Sequence, residues 1–332
     1  MHLAYTCFAV RMLKGGNIFR TTAAALDPET FLGLCCRNGV RGAQIDCSQL
    51  PVDDLPRLRA IREAFEANGL AIELSIPSRY LETREAYEQA AAAAAELGAT
   101  RARVGLLYGR RYEDFETRAE WDRFVSRWRT TLGAMRAVFD SHPLLIGIEN
   151  HKDWLADDLV ALLEDVGSPR LGVCLDFGNN LSLLEDPDET IERLAPFTVT
   201  THLKDMAIVA TEDGFEMSEV PLGAGFLPLD RCVQTVRRAR PDVTFTLEMI
   251  TRDPLPVPYR TERYWATFDT ADRAKRVKRF EERVLSRAQT TPLFRASGLS
   301  IEEQIAAEDR HVAQSIDYAS RVLRLDETTS PA

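Results

Sequence analysis

The stretch from Leu144 to Asp176 opens with Leu144-Leu145-Ile146-Gly147-Ile148-Glu149, continues through a helical pattern from Leu155 to Asp165, and closes with Leu171-Gly172-Val173-Cys174-Leu175-Asp176. Two short apolar runs separated by a helix read as a parallel βαβ unit. Both runs end on a carboxylate. Downstream the unit recurs, with strands at Thr198 to Leu203 and Val243 to Met249 and helices at Asp188 to Leu194, Leu229 to Arg240 and, mostly, Tyr264 to Arg287. Upstream, strands are expected at Leu3 to Val10, Ala43 to Cys47, Leu70 to Ile76 and Ala102 to Leu107. The helices between them start at Asp27-Pro28-Glu29 and span Asp53 to Asn68, Thr83 to Leu97 and about Asp114 to Phe139. Asp or Thr at the starts and Gly69 and Gly98 at two of the ends are ordinary helix boundaries. Eight strands, each followed by helix, give an α/β chain folded as a (β/α)8 barrel. A doubly wound dinucleotide fold is disfavoured because no glycine fingerprint follows the first strand.

The 332 residues fit one such barrel, over residues 1 to 290, with a helical extension and tail over 291 to 332. Ile301 to Leu325 reads as one amphipathic helix, able to cover the barrel bottom or to meet a second copy of the chain, and Thr328 to Ala332 as a frayed end. The Pro-rich segment Asp253 to Pro258 is expected either as a lid over the barrel mouth or as a rigid surface connection. The formal charge of −10 disfavours nucleic acid or an anionic membrane as partner, since Lys and Arg dominate both kinds of contact. Six cysteines without zinc spacing, no secretory leader and no apolar run of membrane-spanning length lead to an expected cytoplasmic location.

In a (β/α)8 barrel the reactive side chains stand at the C-terminal ends of the strands. Four consecutive strands here finish at Glu149, Asp176, His202 and Glu248, the last unit being enlarged by a loop expected around Gly214 to Gly225. Each follows an apolar run, where a charge needs a partner. Three carboxylates and one imidazole form a ligand set for one divalent metal ion, with Mn2+ (manganese) the first expectation and Mg2+, Co2+ or Zn2+ as alternatives. The alternation of side chains along a strand adds His151 on the side of Glu149 and Lys204 on the side of His202 as further catalytic candidates. Asn179, Arg103, Arg252 and Trp154 are candidate substrate contacts: the arginines for an acid group, the indole for stacking on a sugar ring. Tyr259 is a second candidate for stacking on a sugar ring, and Glu73 a weaker pocket candidate.

With Glu149, Asp176, His202 and Glu248 in place, together with His202-Leu203-Lys204-Asp205 and Gly223-Ala224-Gly225, residues 1 to about 290 resemble the xylose-isomerase-like TIM-barrel superfamily of sugar isomerases and epimerases. That superfamily includes ketose 3-epimerases, inosose dehydratase and endonuclease IV. The resemblance implies that the four residues hold the metal and that Glu149 and Glu248 move protons on opposite faces of a small carbohydrate substrate. Two departures stand out. Asn179 occupies the place where ketose 3-epimerases usually carry a histidine, and Met206-Ala207-Ile208-Val209 occupies the stretch where they carry an arginine.

The first functional expectation is a metal-dependent sugar isomerase or epimerase of carbohydrate metabolism that forms an enediolate from a keto sugar. The second is a lyase acting through the same intermediate: a decarboxylase of a 3-oxo sugar acid, a dehydratase, or a glycoside-cleaving eliminase of a 3-keto sugar. A third, a non-catalytic sugar-binding barrel, is disfavoured because both glutamates are retained.

Overall fold

The computed structural model describes residues 1–11 and 26–325; the expected frayed end, Thr328 to Ala332, lies outside the described residues. Eight parallel strands close into a barrel. In chain order these begin with β1 (His2–Ala4), α1 (Pro28–Arg37), β2 (Gly42–Asp46), α2 (Leu55–Ala67), β3 (Ala71–Ser75), α3 (Arg84–Glu96) and β4 (Arg101–Val104). The short α4 (Arg111–Asp114) and long α5 (Arg118–Asp140) precede β5 (Leu145–Glu149), α6 (Ala156–Val166), β6 (Leu171–Asp176), α7 (Pro187–Leu194) and β7 (Thr198–Leu203). Side-chain caps set several helix starts: Asp27 accepts from Thr30 N at 2.7 Å, and Thr117 and Glu120 form a reciprocal capping box on α5.

After β7 the chain departs from the expected pattern. Where a single enlarged loop was expected, Asp205–Ala210 (β8) and Phe215–Val220 (β9) pair as an antiparallel hairpin. Then α8 (Leu229–Ala239) leads to the last barrel strand, β10 (Thr244–Leu247), which closes between β7 and β1. The Pro-rich segment supplies β11 (Leu255–Val257), with Leu255 opposite Met217 and Val257 opposite Phe215. Pro256 has no N–H to give, and an edge strand tolerates that loss. The segment is therefore the fixed edge of a three-stranded sheet rather than a free-standing lid.

Three further boundaries differ from expectation. The first strand stops at Ala4 and turns into a 3-10 segment, Tyr5–Phe8. The helix expected over Tyr264 to Arg287 is broken into α9 (Glu262–Trp265) and α10 (Arg273–Arg283). The C-terminal helix α11 (Ile301–Arg321) does not cover the barrel bottom. Its fully buried Glu308 accepts from Val10 N at 2.6 Å and from Arg11 Nη1 at 3.1 Å, and its Ser315 Oγ accepts from Leu222 N at 3.2 Å. His311 of the same helix lies 2.9 Å from Thr251 Oγ1. These partners follow the C-terminal ends of β1, β9 and β10, so α11 packs on the side where the barrel opens.

Gly225 shows what ties the hairpin down. Asp205 accepts from the backbone N–H groups of Met206, Gly223, Gly225 and Leu227 at 2.8 to 3.2 Å. A Cβ at Gly225 would lie 2.2 Å from Asp205 Oδ1, and Gly223 adopts a φ of +84°. Among the described residues no helix is long and apolar enough to cross a membrane.

Candidate functional site

Glu149 and Asp176 are the last residues of β5 and β6. His202 on β7 is in register with Asp176 on one side and with Thr246 of β10 on the other, and Glu248 follows Leu247, where β10 ends. The parallel register therefore delivers all four side chains to one end of the barrel, and all four are buried. Each offers one ligand atom, and these atoms lie within 4.8 Å of one another. From His202 Nδ1 the distances are 3.3 Å to Glu149 Oε1, 3.9 Å to Asp176 Oδ2 and 3.3 Å to Glu248 Oε2.

The other polar atom of each residue is tied outward. Arg103 donates to Glu149 Oε2 from Nε at 2.7 Å and again from Nη2. Asp176 Oδ1 accepts from the N–H groups of Gly178 and Asn179 at 2.9 and 2.8 Å. Thr6 Oγ1 donates to Glu248 Oε1 at 2.9 Å. His202 Nε2 lies 2.9 Å from Gln44 Oε1, and Gln44 Nε2 donates to Glu73 Oε1, which also accepts from Thr200 Oγ1. Gln44 thus holds the Nε2–H of His202 and directs Nδ1 into the cluster, the usual outer support of a metal-binding imidazole. Three carboxylates drawn together around one nitrogen, each with its second oxygen anchored, fit a divalent cation of the oxygen-preferring kind. The four residues could hold such an ion.

The electrostatics have the same focus. Burial alone would raise Glu149 and Glu248, but Arg103 and His202 hold the first, and His202 and Lys204 the second, well below the ordinary carboxylate range. For Asp176 burial wins, with Glu149 and Glu248 adding to it against Lys204, and its carboxyl is raised. Burial opposes the charge on His202, yet Cys174, Glu248 and Glu149 keep its pKa well above the usual value. A cation bound among the carboxylates would displace that proton from Nδ1.

The structure brings most of the other expected residues to the same place, in specific partnerships. Lys204 Nζ lies 2.7 Å from both Asp176 Oδ2 and Glu248 Oε2. Asn179 Nδ2 donates to Glu149 Oε1 at 3.1 Å. Arg103 is engaged by Glu149, as above, and also donates to Ser75 Oγ. His151 Nε2 lies 3.4 Å from Lys152 Nζ, and burial, then Lys152, hold its pKa well below normal. Arg252 is taken up by Glu219, through Nη2 at 2.7 Å and Nε at 3.2 Å, rather than left free to read an acid. Trp154 is also placed differently from the expectation of a sugar-stacking face: it is fully buried in an aromatic cluster with Trp121 and Phe124. Tyr259 is buried against Phe215 and Phe280, and its hydroxyl donates to Glu281. Glu73 is a support of Gln44, not a group at the mouth.

Four residues of the site went unread in the sequence. Gln44 is one. Glu219, at the end of β9, lies 3.6 Å from Lys204 Nζ and is held near pKa 2, because Arg252, Lys204 and Lys152 together outweigh its burial. Lys152 donates from Nζ to Asn179 Oδ1 at 2.7 Å. Asn150 accepts from Asp176 N and donates to its carbonyl, both at 2.8 Å, and so braces β6 at the ligand.

Residues 32–278 match the family model described as xylose isomerase-like TIM barrel. Among curated proteins, the chain is 38% identical over 111 residues to the 3-oxo-isoapionate decarboxylase of Pectobacterium atrosepticum, covering 32% of this chain and 40% of that protein. It is 22% identical over 204 residues to the uncharacterised protein YihM of Escherichia coli, covering 60% of each. In both cases the match spans less than two thirds of the relative's length. Among solved structures, the D-psicose 3-epimerase of Clostridium cellulolyticum H10 with D-tagatose superposes with a TM-score of 0.58 at 12% identity, over 97% of this chain and 98% of the other. At that identity the likeness is one of fold.

Proposed function

The chain belongs to the xylose isomerase-like TIM-barrel family, and from that premise we propose that it is a divalent-metal-dependent lyase that releases CO2 from a 3-oxo sugar acid by way of an enediolate. The observation that carries this reading is that neither glutamate is a free base. Glu149 is clamped by Arg103 through two N–H groups, and Glu248 is bridged by Lys204. Isomerisation and epimerisation need a carboxylate free to remove a proton from carbon, and each carboxylate here is engaged by a buried cation. Decarboxylation removes no proton from carbon. The carbon–carbon bond breaks, its electron pair moves onto the neighbouring carbonyl, CO2 departs, and the enediolate carbon then takes up one proton.

A divalent ion held by Glu149, Asp176, His202 and Glu248 would stabilise the negative charge that develops on the substrate oxygens. Arg103 keeps Glu149 ionised and fixed. Gln44 keeps the imidazole of His202 aimed inward. Lys204 spans Asp176 and Glu248 with its amine, and in this reading it supplies the proton that carbon takes up. The departures at Asn179 and at Met206 to Val209 from the epimerase pattern support the same reading, as does the resemblance to a curated 3-oxo sugar acid decarboxylase.

The second reading, an isomerase or epimerase, rests on Glu149 and Glu248 each placing an oxygen 3.3 Å from the same imidazole nitrogen. A screen of 3-oxo sugar acids and keto sugars with Mn2+-loaded protein, followed by mass spectrometry, separates the two. Loss of 44 mass units is expected. A mass-neutral product would support the second reading, and loss of 18 or of an aglycone would move the reaction to another lyase.

A further inference from the structure

Among the described residues four cationic side chains surround the ligand set, and three of them have a carboxylate: Arg103 has Glu149, Lys204 has Asp176 and Glu248, and the partly exposed Arg252 has Glu219. Lys152 is different. Its side chain is 3% exposed, yet no carboxylate among the described residues lies within ion-pair distance of it. Its Nζ meets only neutral groups, Asn179 Oδ1 at 2.7 Å and His151 Nε2 at 3.4 Å. Burial, followed by the positive charges of Arg252 and Lys204, lowers its pKa to about 8. A buried charge without a counter-charge is costly, and the structure tolerates it here beside the site.

The histidine next to it points the same way. Its Nε2 faces the Lys152 ammonium at 3.4 Å, and its Nδ1 is buried without a hydrogen-bond partner among the described residues. Two adjacent residues therefore present, side by side, a buried cation without a counter-charge and a buried ring nitrogen without a partner. They stand one amide away from the ligands, since the Asn179 side chain that accepts from Lys152 donates to Glu149. We propose that Lys152, assisted by His151, is the substrate-anion site: it binds a carboxylate of the substrate and makes the barrel selective for sugar acids over neutral sugars. This assignment deepens the lyase reading and rests on it for the identity of the substrate.

The test compares the binding of erythronate and of its neutral counterpart erythritol to Mn2+-loaded full-length protein by calorimetry. The wild type is expected to prefer erythronate at least tenfold. Lys152→Met should weaken erythronate at least tenfold, leave erythritol within twofold, and retain metal at the wild-type level, while Lys152→Arg recovers part of the acid preference. Because the substitution removes an unpaired buried charge, Lys152→Met should melt no lower than wild type, and erythronate should raise the melting temperature of the wild type only. A wild type with no acid preference, a variant that keeps it, or loss of metal from Lys152→Met would each overturn the assignment. The two readings fail separately. Acid preference present in the wild type and lost in Lys152→Met, with no decarboxylation by the wild type, leaves Lys152 assigned and removes the lyase; CO2 release by the wild type with unchanged KM in Lys152→Met does the reverse.

Discussion

Arg103 Nε donates to Glu149 Oε2 at 2.7 Å, and both side chains are buried at the point where β4 and β5 end. The pair decides what Glu149 can do. Removing the guanidinium would strand a carboxylate beside two others, and breaking a buried pair from one side costs roughly 3–5 kcal/mol. Arg103→Met is therefore expected to lower the free energy of unfolding by about that much, and saturating Mn2+ should restore part of the loss. A variant as stable as wild type without metal would contradict the role given to the pair.

Gln44→Leu tests the outer support of the metal centre. The substitution removes the acceptor of His202 Nε2–H while keeping much of the side-chain bulk. Loss of such a support typically weakens metal binding about 10–100-fold. Titration of Mn2+ followed by electron paramagnetic resonance should show a loss in that range, with the fold unchanged by circular dichroism. Unaltered affinity would mean that Gln44 does not orient the imidazole.

The link between α11 and the segment after β1 should be visible in the pH dependence of stability. Burial raises Glu308 from an ordinary 4.5 to about 8, against the pull of Val10 N–H and Arg11. The folded state then holds a proton that the unfolded state has released between about pH 4.5 and 8. Stability from this group is full below the unfolded pKa and falls as pH rises through that window, by roughly 1.4 kcal/mol per unit at most. Glu308→Gln removes the titration, so the difference in unfolding free energy between wild type and variant should grow in the variant's favour from pH 5 to pH 8. A pH-independent difference would contradict the burial.

Gly225→Ala probes the turn that carries Glu219 to the site. Its new methyl would meet Asp205 Oδ1 at 2.2 Å, and an overpacked contact of this kind costs about 1–3 kcal/mol. A lower melting temperature with weakened Mn2+-dependent activity is expected, because Glu219 holds Arg252 and neighbours Lys204. A neutral substitution would show that the hairpin can shift without disturbing the site.

The ligand set was legible because each member stands at or beside the end of a β-type run, so that placing the eight strands also places Glu149, Asp176, His202 and Glu248. Gln44 was a single polar residue within the run Ala43-Gln44-Ile45, a pattern that does not distinguish a support from a solvated edge. Lys152 lies three residues past Glu149, where strand alternation carries no information because β5 ends at Glu149. Glu219 was hidden because the segment around Gly214 to Gly225 read as a loop. Its Phe215 and Met217 alternate with Glu216 and Ser218, which is strand periodicity, but Gly214, Gly223 and Gly225 around it carried the turn signal. Trp154 looked available for a sugar ring because sequence does not show that α5 brings Trp121 and Phe124 over it.

The central claim is that carbon loses CO2 here and gains a proton, with no carboxylate acting as base on carbon. The direct measurement is the mass of the product formed from a 3-oxo sugar acid by Mn2+-loaded protein in D2O. The account predicts a product lighter by CO2 that carries one deuterium on the carbon that bore the carboxylate. A product with the carboxylate retained and deuterium exchanged into a carbon–hydrogen bond would contradict it, and would make Glu149 or Glu248 a base after all.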